Sequence, residues 1–198
     1  MVVDVMKYRI ALFALTAIFA RNAAAETQPY DFDMLHSRIF FEYEHQGYST
    51  MFGHFRRFSG TLEFDPEDPT ASRLDITIPA DSIDVFDDEL NARLLTDAFF
   101  NVAEHPEIRF ISTQIVPIDD RRLRVDGSLT MLGVTRPLSL EIVQNKIGVN
   151  RQGMQVAGFS GRGGLERAAY GMDFLSSVAG GEVMFRVEVE VSPRSALE

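Results

Sequence analysis

From Tyr30 onward, apolar and polar residues alternate along most of this chain, the period-two signal of strands with one buried face. Ile39, Phe41, Tyr43 and His45 share one parity and Arg38, Glu42 and Glu44 the other, with Phe40 breaking the polar side. Leu74, Ile76 and Ile78 alternate with Arg73, Asp75 and Thr77 until Pro79 ends the run. Ile108 and Phe110 alternate with Glu107 and Arg109, and Leu123, Val125, Gly127, Leu129 and Met131 extend the pattern further. The clearest run lies near the C-terminus, where Val183, Phe185, Val187 and Val189 alternate with Glu182, Met184, Arg186, Glu188 and Glu190. Turn-forming sequences separate these runs: Gly47, "DPEDP" at 65–69, Asp119-Asp120, "GVTRP" at 133–137 and "VNRQG" at 149–153. Many strands of similar length joined by short turns predict an all-β barrel or sandwich.

One segment departs from that rhythm. Between Asp81 and Ala103, Leu90, Leu94, Leu95, Ala98 and Phe99 recur at helical spacing, so a helix is expected there. Asp87, Asp88 and Glu89 stand near its start, where the helix dipole favours anions, and His105-Pro106 is expected to stop it. A helix set into an antiparallel chain suits the role of a lid at one end of a barrel.

The N-terminus follows a different pattern again. Lys7 and Arg9 precede an apolar run from Ile10 to Ala20, and Ala23, Ala24 and Ala25 supply an A-x-A motif. The run falls well short of the roughly 20 residues that span a bilayer, so it reads as a secretory signal peptide, residues 1–25, cleaved after Ala25. An uncleaved anchor is the alternative. Cleavage leaves residues 26–198 as a single domain, large enough for a sizeable core. The net charge of −10 becomes −12 once three cations and Asp4 are removed, and such an acidic chain repels nucleic acid. The absence of cysteine means that an exported form must be stable without disulfides.

Candidate chemistry is sparse. Three of the four histidines, His36, His45 and His54, fall within 19 residues of one another. Their spacing of nine is odd, so His36 and His45 would point to opposite faces of one strand, and His54 takes the outer parity beyond the turn. Without cysteine or an H-x-H pair, no metal site is expected. His45 has the inner parity, either bonded to a neighbouring carbonyl or free to donate to a ligand. No G-x-S-x-G elbow is present, and "GFSGRGG" at 158–164 lacks both the strand-to-helix turn of a nucleophile and the G-K of a phosphate loop. The acidic cluster Asp84, Asp87, Asp88 and Glu89 lacks EF-hand spacing and reads as a solvated helix start. Sixteen phenylalanines remain, most with inner parity. They would fill a core or line a cavity, since a barrel of about eight strands has room for either. Gly53, Gly60, Gly127, Gly161 and Gly163 share the inner parity and are expected to leave room for an apolar guest.

Five segments in series, "HSRIFFEYEH", "GHFRRFSGTLEFDPEDP", "LLTDAFFNVAEHPEIRFIST", "VDGSLTMLGVTRPLSLEI" and "AGFSGRGGLERAAYGMDF", resemble the YceI-like family in order and spacing, from about Tyr30 to Val191. The resemblance implies an extended lipocalin-like, eight-stranded antiparallel β-barrel whose apolar tunnel holds a long isoprenoid-type lipid in the periplasm. It implies no cofactor beyond that lipid, and no catalysis. Polar positions depart from the family: Leu90 to Leu94 replace a common "RDxHL", Thr96 to Phe100 a common "SADFF", Leu132 a frequent histidine and His54 a frequent arginine. These departures leave the head group open among quinone, isoprenoid alcohol, isoprenoid phosphate and fatty amide.

The expected ligand contacts are Ile39, Phe41, Tyr43 and His45 on the first long run, then Phe55, Phe58 and Leu62. Arg93 and Phe99 follow on the helical segment, and Phe110, Leu129, Phe159 and Phe185 on later runs. His45 and Arg93 are expected to supply polar contacts near an opening. Two rivals stand beside this reading: an enzyme acting on such a lipid with His45 as acid or base, and a packed structural barrel without a cavity. A homodimer and transient contact with a membrane or its proteins stay open.

Overall fold

Each alternating run forms a strand in the computed structural model, which describes residues 27–194 apart from 176, 177 and 179. The expected signal peptide, residues 1–25, lies outside the described residues. In chain order the elements are β1 (Gln28–Phe32), β2 (Arg38–His45), β3 (Ser49–Phe55), β4 (Ser59–Phe64), β5 (Arg73–Pro79) and β6 (Ile83–Asp84). The helix α1 (Asp88–Leu94) follows, then β7 (Glu107–Pro117), β8 (Arg122–Met131), β9 (Val134–Val149), β10 (Gln155–Glu166) and β11 (Glu182–Pro193).

Eleven strands make an eight-staved barrel because the first six act in pairs. β2 pairs with β3 while β1 pairs with β4, and β3 pairs with β6 while β4 pairs with β5, all antiparallel. Thus β1–β2, β3–β4 and β5–β6 are three long staves, each broken once, and β7 to β11 complete the meander. Closure comes from β11. Its N-terminal half, Val183–Glu188, pairs with β2, and its C-terminal end, Val191–Pro193, pairs with β1. Buried serines stitch the breaks. Ser37 exchanges bonds with the Glu190 backbone, and the Ser82 hydroxyl donates to Pro79 O at 2.7 Å while Ser82 O accepts from Arg56 N at 2.8 Å.

The two ends of the barrel differ. At one end, Tyr30 and Phe64 stack edge-on with centroids 5.3 Å apart, and Phe64 meets Phe159 the same way at 5.4 Å. Val191 and Ala157 pack with these rings to form a plug. Such aromatic pairs contribute about 1 kcal/mol each beyond the area they bury. The opposite end carries α1, the β2–β3 turn, the Leu132-Gly133 hairpin and the β10–β11 connection.

The helix is shorter than its periodicity suggests. Asp87 caps its start, accepting from Leu90 N at 2.8 Å, and the acidic run stands at the helix start as expected. It ends at Leu94 instead of running to His105-Pro106, because competing donors take the carbonyls of its last turn. The Thr96 hydroxyl bonds Arg93 O at 2.8 Å, and the amides of Phe100 and Val102 bond Leu94 O and Leu95 O. Tight turns then present Phe99 and Phe100 to the interior at a spacing that mimics a helix face.

The inward glycines also depart from expectation. They leave no empty space at the wall. The space a side chain would need at Gly53 is held by the Phe41 ring, at Gly127 by Phe110, and at Gly163 by Phe185. The tip of each ring occupies the place that a glycine side chain would take. A Gly127→Ala substitution should therefore destabilise the protein by about 1–3 kcal/mol through overpacking against Phe110 and Ile111 O. Gly158→Ala, whose new methyl meets nothing closer than 4.0 Å, should change the urea midpoint little.

Candidate functional site

Between the aromatic plug and the opposite rim lies a cavity of about 510 Å³, within the roughly 300–1,000 Å³ range of small-molecule sites. A void of this size is not the interior of a solidly packed barrel. Its wall is almost entirely carbon, and among the described residues only Tyr43, His45, Ser72, Arg93 and Arg167 bring polar side chains to it. Ser72 is already engaged at the plugged end, where its hydroxyl oxygen accepts from Asp65 N at 3.2 Å.

The structure places all thirteen residues named from the sequence on the cavity wall. Ile39, Phe41, Tyr43 and His45 ascend β2 from the core to the rim, Ile39 buried and the other three half-buried. Phe55 and Leu62 come from β3 and β4, and Phe58 fills the break between them. Phe110, Leu129, Phe159 and Phe185 come from four different staves. Period-two side-chain alternation in a closed sheet brings them together, because every inner parity then faces one lumen. Arg93 lies on α1, exposed, with its guanidinium 6.0 Å from the Phe174 ring centroid. Phe99 packs edge-on against Phe174 with centroids 5.5 Å apart, across the mouth.

The histidines separate as parity requires. His45 is half-buried at the rim, and the neighbour nearest to hydrogen-bonding it is the Gln46 amide at 3.4 Å. Half-buried, it is not the enclosed histidine of the first alternative, and among the described residues neither a carbonyl nor a titratable side chain hydrogen-bonds its ring. His54 lies on the outer face between Phe40 and Phe86. His36 bonds Asp33 at 2.7 Å and lies near Glu190, the three offering an exposed group of potential ligand atoms within 4.8 Å. His45 and His54 take no part in that group.

Sequence reasoning missed Arg167. The residue is 4% exposed, lines the lumen and sits in the one-turn 3-10 segment Arg167–Tyr170 after β10. Alternation stops there, so no parity assigned it a face. Met51, Leu90, Leu94, Met172, Leu175 and Val178 were also missed, and all belong to the rim or its connections.

Asp84 organises the approach to α1. Its carboxylate accepts from Phe86 N at 2.9 Å, Arg56 at 2.9 Å and Asn91 at 3.2 Å, and Asn91 in turn accepts from Val85 N. The Phe86 amide, followed by the Arg56 guanidinium, holds this carboxyl down at about 2. Phe86 itself has a positive φ of 64°. Burial pushes the Tyr43 hydroxyl above its ordinary value, while the charge of Arg167 pulls it the other way.

Comparison with known proteins fits this geometry. A family model described as YceI-like domain matches residues 30–193. Protein YceI of Salmonella arizonae is 31% identical over 187 residues, covering 93% of this chain and 97% of that protein. Among solved structures, Burkholderia cenocepacia BcnA superposes with a TM-score of 0.74 at 22% identity, over 81% of this chain and 99% of that one. A polyisoprenoid binding domain from Saccharophagus degradans, implicated in plant cell wall breakdown, superposes with a TM-score of 0.64 at 15% identity, over 83% of this chain and 98% of that one. These structures share the fold.

The Asp84 network sets a pH dependence. Because its folded value lies below its unfolded one, its contribution to stability is complete above about pH 4 and disappears as pH falls toward 2. Asp84→Asn should lower the melting temperature at pH 7 and give a shallower loss of stability between pH 4 and 2 than the parent. Thermal unfolding across that range measures both effects.

Proposed function

The chain belongs to the YceI-like family, and on that premise we propose that it carries or stores a long-chain isoprenoid-type lipid, outside the cytoplasm, in the lumen of its barrel. The observation that carries this reading is a ligand-sized apolar cavity plugged at one end and bounded at the other by a polar rim. Burial of a tail is worth about 0.8 kcal/mol per CH₂, so a few isoprene units bind tightly with little help from a head group. The fold shared with a polyisoprenoid binding domain supports the same ligand class. A binding role fits better than catalysis. Among the described residues the side chain that hydrogen-bonds His45 is the Gln46 amide, which neither tunes its basicity nor relays a proton as a titratable neighbour would. The basic edge Lys7 and Arg9, the apolar run Ile10–Ala20 and the A-x-A motif ending at Ala25 support export to the periplasm.

Three experiments test this reading. Protein purified from its own host and extracted into organic solvent should release an isoprenoid-type lipid in roughly stoichiometric amount by mass spectrometry. Protein that emerges empty and then fails to bind added polyprenols or quinones would overturn the lipid assignment. Chemical conversion of bound lipid by the parent, lost in His45→Ala, would overturn the carrier role in favour of an enzyme. Export predicts that the protein recovered from the periplasmic fraction begins at Glu26 by N-terminal sequencing. An intact N-terminus in the membrane fraction would show an anchor instead.

A further inference from the structure

Arg167 occupies an unusual position for a guanidinium. It is 96% buried and lies on the wall of an otherwise carbon-lined lumen. Its Nε donates to Gly180 O at 3.0 Å and its Nη2 to Phe174 O at 2.8 Å, tying the β10–β11 connection across the mouth. Nη1 makes no hydrogen bond among the described residues, nor does any described carboxylate lie within ion-pair distance. Asp173 acts on the guanidinium only from farther away. Tyr43 faces the same region from β2, the two groups feel each other's fields, and the Tyr43 hydroxyl also makes no hydrogen bond among the described residues. Burial lowers the Arg167 pKa from its ordinary value, as expected of a cation held away from water without a paired anion.

A buried charge is costly unless it is paired. The backbone carbonyls satisfy two of the guanidinium's donors but leave its charge uncompensated. What remains at the mouth is a set of unengaged donors: the free edge of a planar guanidinium, the geometry that matches carboxylate and phosphate oxygens, and a phenol beside it. A neutral carbonyl would accept a hydrogen bond there and leave the charge as it was. Below this point the wall is apolar down to the Tyr30–Phe64–Phe159 plug, so a ligand entering tail first brings its head to Arg167. We infer that Arg167 and Tyr43 form a head-group subsite, and that the lipid held in this lumen carries an anionic oxygen head, carboxylate or phosphate. This rests on the lipid-binding reading above; of the head groups that the sequence left open it keeps the isoprenoid phosphate, and it adds a carboxylate.

The test uses the mature protein and displacement of a neutral, polarity-sensitive naphthyl dye from the lumen at pH 8. Four ligands of one chain length are compared below their micelle concentrations: the carboxylic acid, its methyl ester, the alkyl phosphate and the primary alcohol. The acid or the phosphate should bind roughly ten- to a hundredfold more tightly than the ester and alcohol, the range expected of a hydrogen bond to a charged group. Whichever anion binds better identifies the head. Arg167→Gln should bring the anion-to-ester ratio to about one, Tyr43→Phe should reduce it a few-fold, and Arg167→Lys should retain part of it. Equal binding of all four ligands by the parent, or a ratio unchanged in Arg167→Gln, would reduce Arg167 to a tie for the mouth segment and overturn the inference. Should Arg167→Gln not fold, the parent ratio and Tyr43→Phe decide. Failure of all four ligands to displace the dye would count instead against the lipid-binding reading itself.

Discussion

Everything in this protein depends on β11 pairing, beyond β10, with both halves of the broken first stave. An open sheet of this length would expose two rows of unpaired backbone groups. Here the last strand meets the first stave along its whole length, β2 above and β1 below. The stave breaks between them at the turn after Phe32, and buried Ser37 bonds the Glu190 backbone where the ladder is interrupted. Once the sheet is closed, inner and outer parity acquire fixed meanings. Residues scattered over eight staves face one lumen because period-two alternation leaves them nowhere else to point.

Closure alone would allow a filled core, and side-chain geometry decides against it. Phe41, Phe110 and Phe185 all face the interior, yet each ring sits over an inward glycine on a neighbouring strand. The rings line the wall and the centre stays open. The three edge-on rings Tyr30, Phe64 and Phe159 then close one end, and the other is ringed by the polar groups that reach the lumen. That asymmetry gives any amphipathic guest a direction, tail toward the plug and head toward Arg167 and Tyr43.

Much of this was legible in the order of residues, and the misses share one cause. Strand faces, the DPEDP turn, the acidic start of the helix and the separation of the histidines follow from local rules of period, turn chemistry and helix electrostatics. The helix was overextended because Phe99 and Phe100, in tight turns, repeat at a spacing that a helix would also produce. The glycines were read as empty volume because the rings and aliphatic side chains that fill their places come from neighbouring strands. His45 was given a buried environment by parity alone, yet it stands at the end of its strand, where inward no longer means enclosed.

The sequence by itself determined that the chain is built of antiparallel strands, which face of each is apolar, and that its interior holds little polar chemistry. These are properties of neighbours in the chain, and a two-residue period suffices to express them. Only the tertiary structure decided that three staves are broken, that the lumen is open and plugged at one end, and that a buried guanidinium stands at its mouth. Arg167 sits where alternation ceases, and its burial is produced by β2, the β10–β11 connection and the barrel rim together. A charge acquires its environment from segments distant in sequence, so its role becomes visible only once those segments have met.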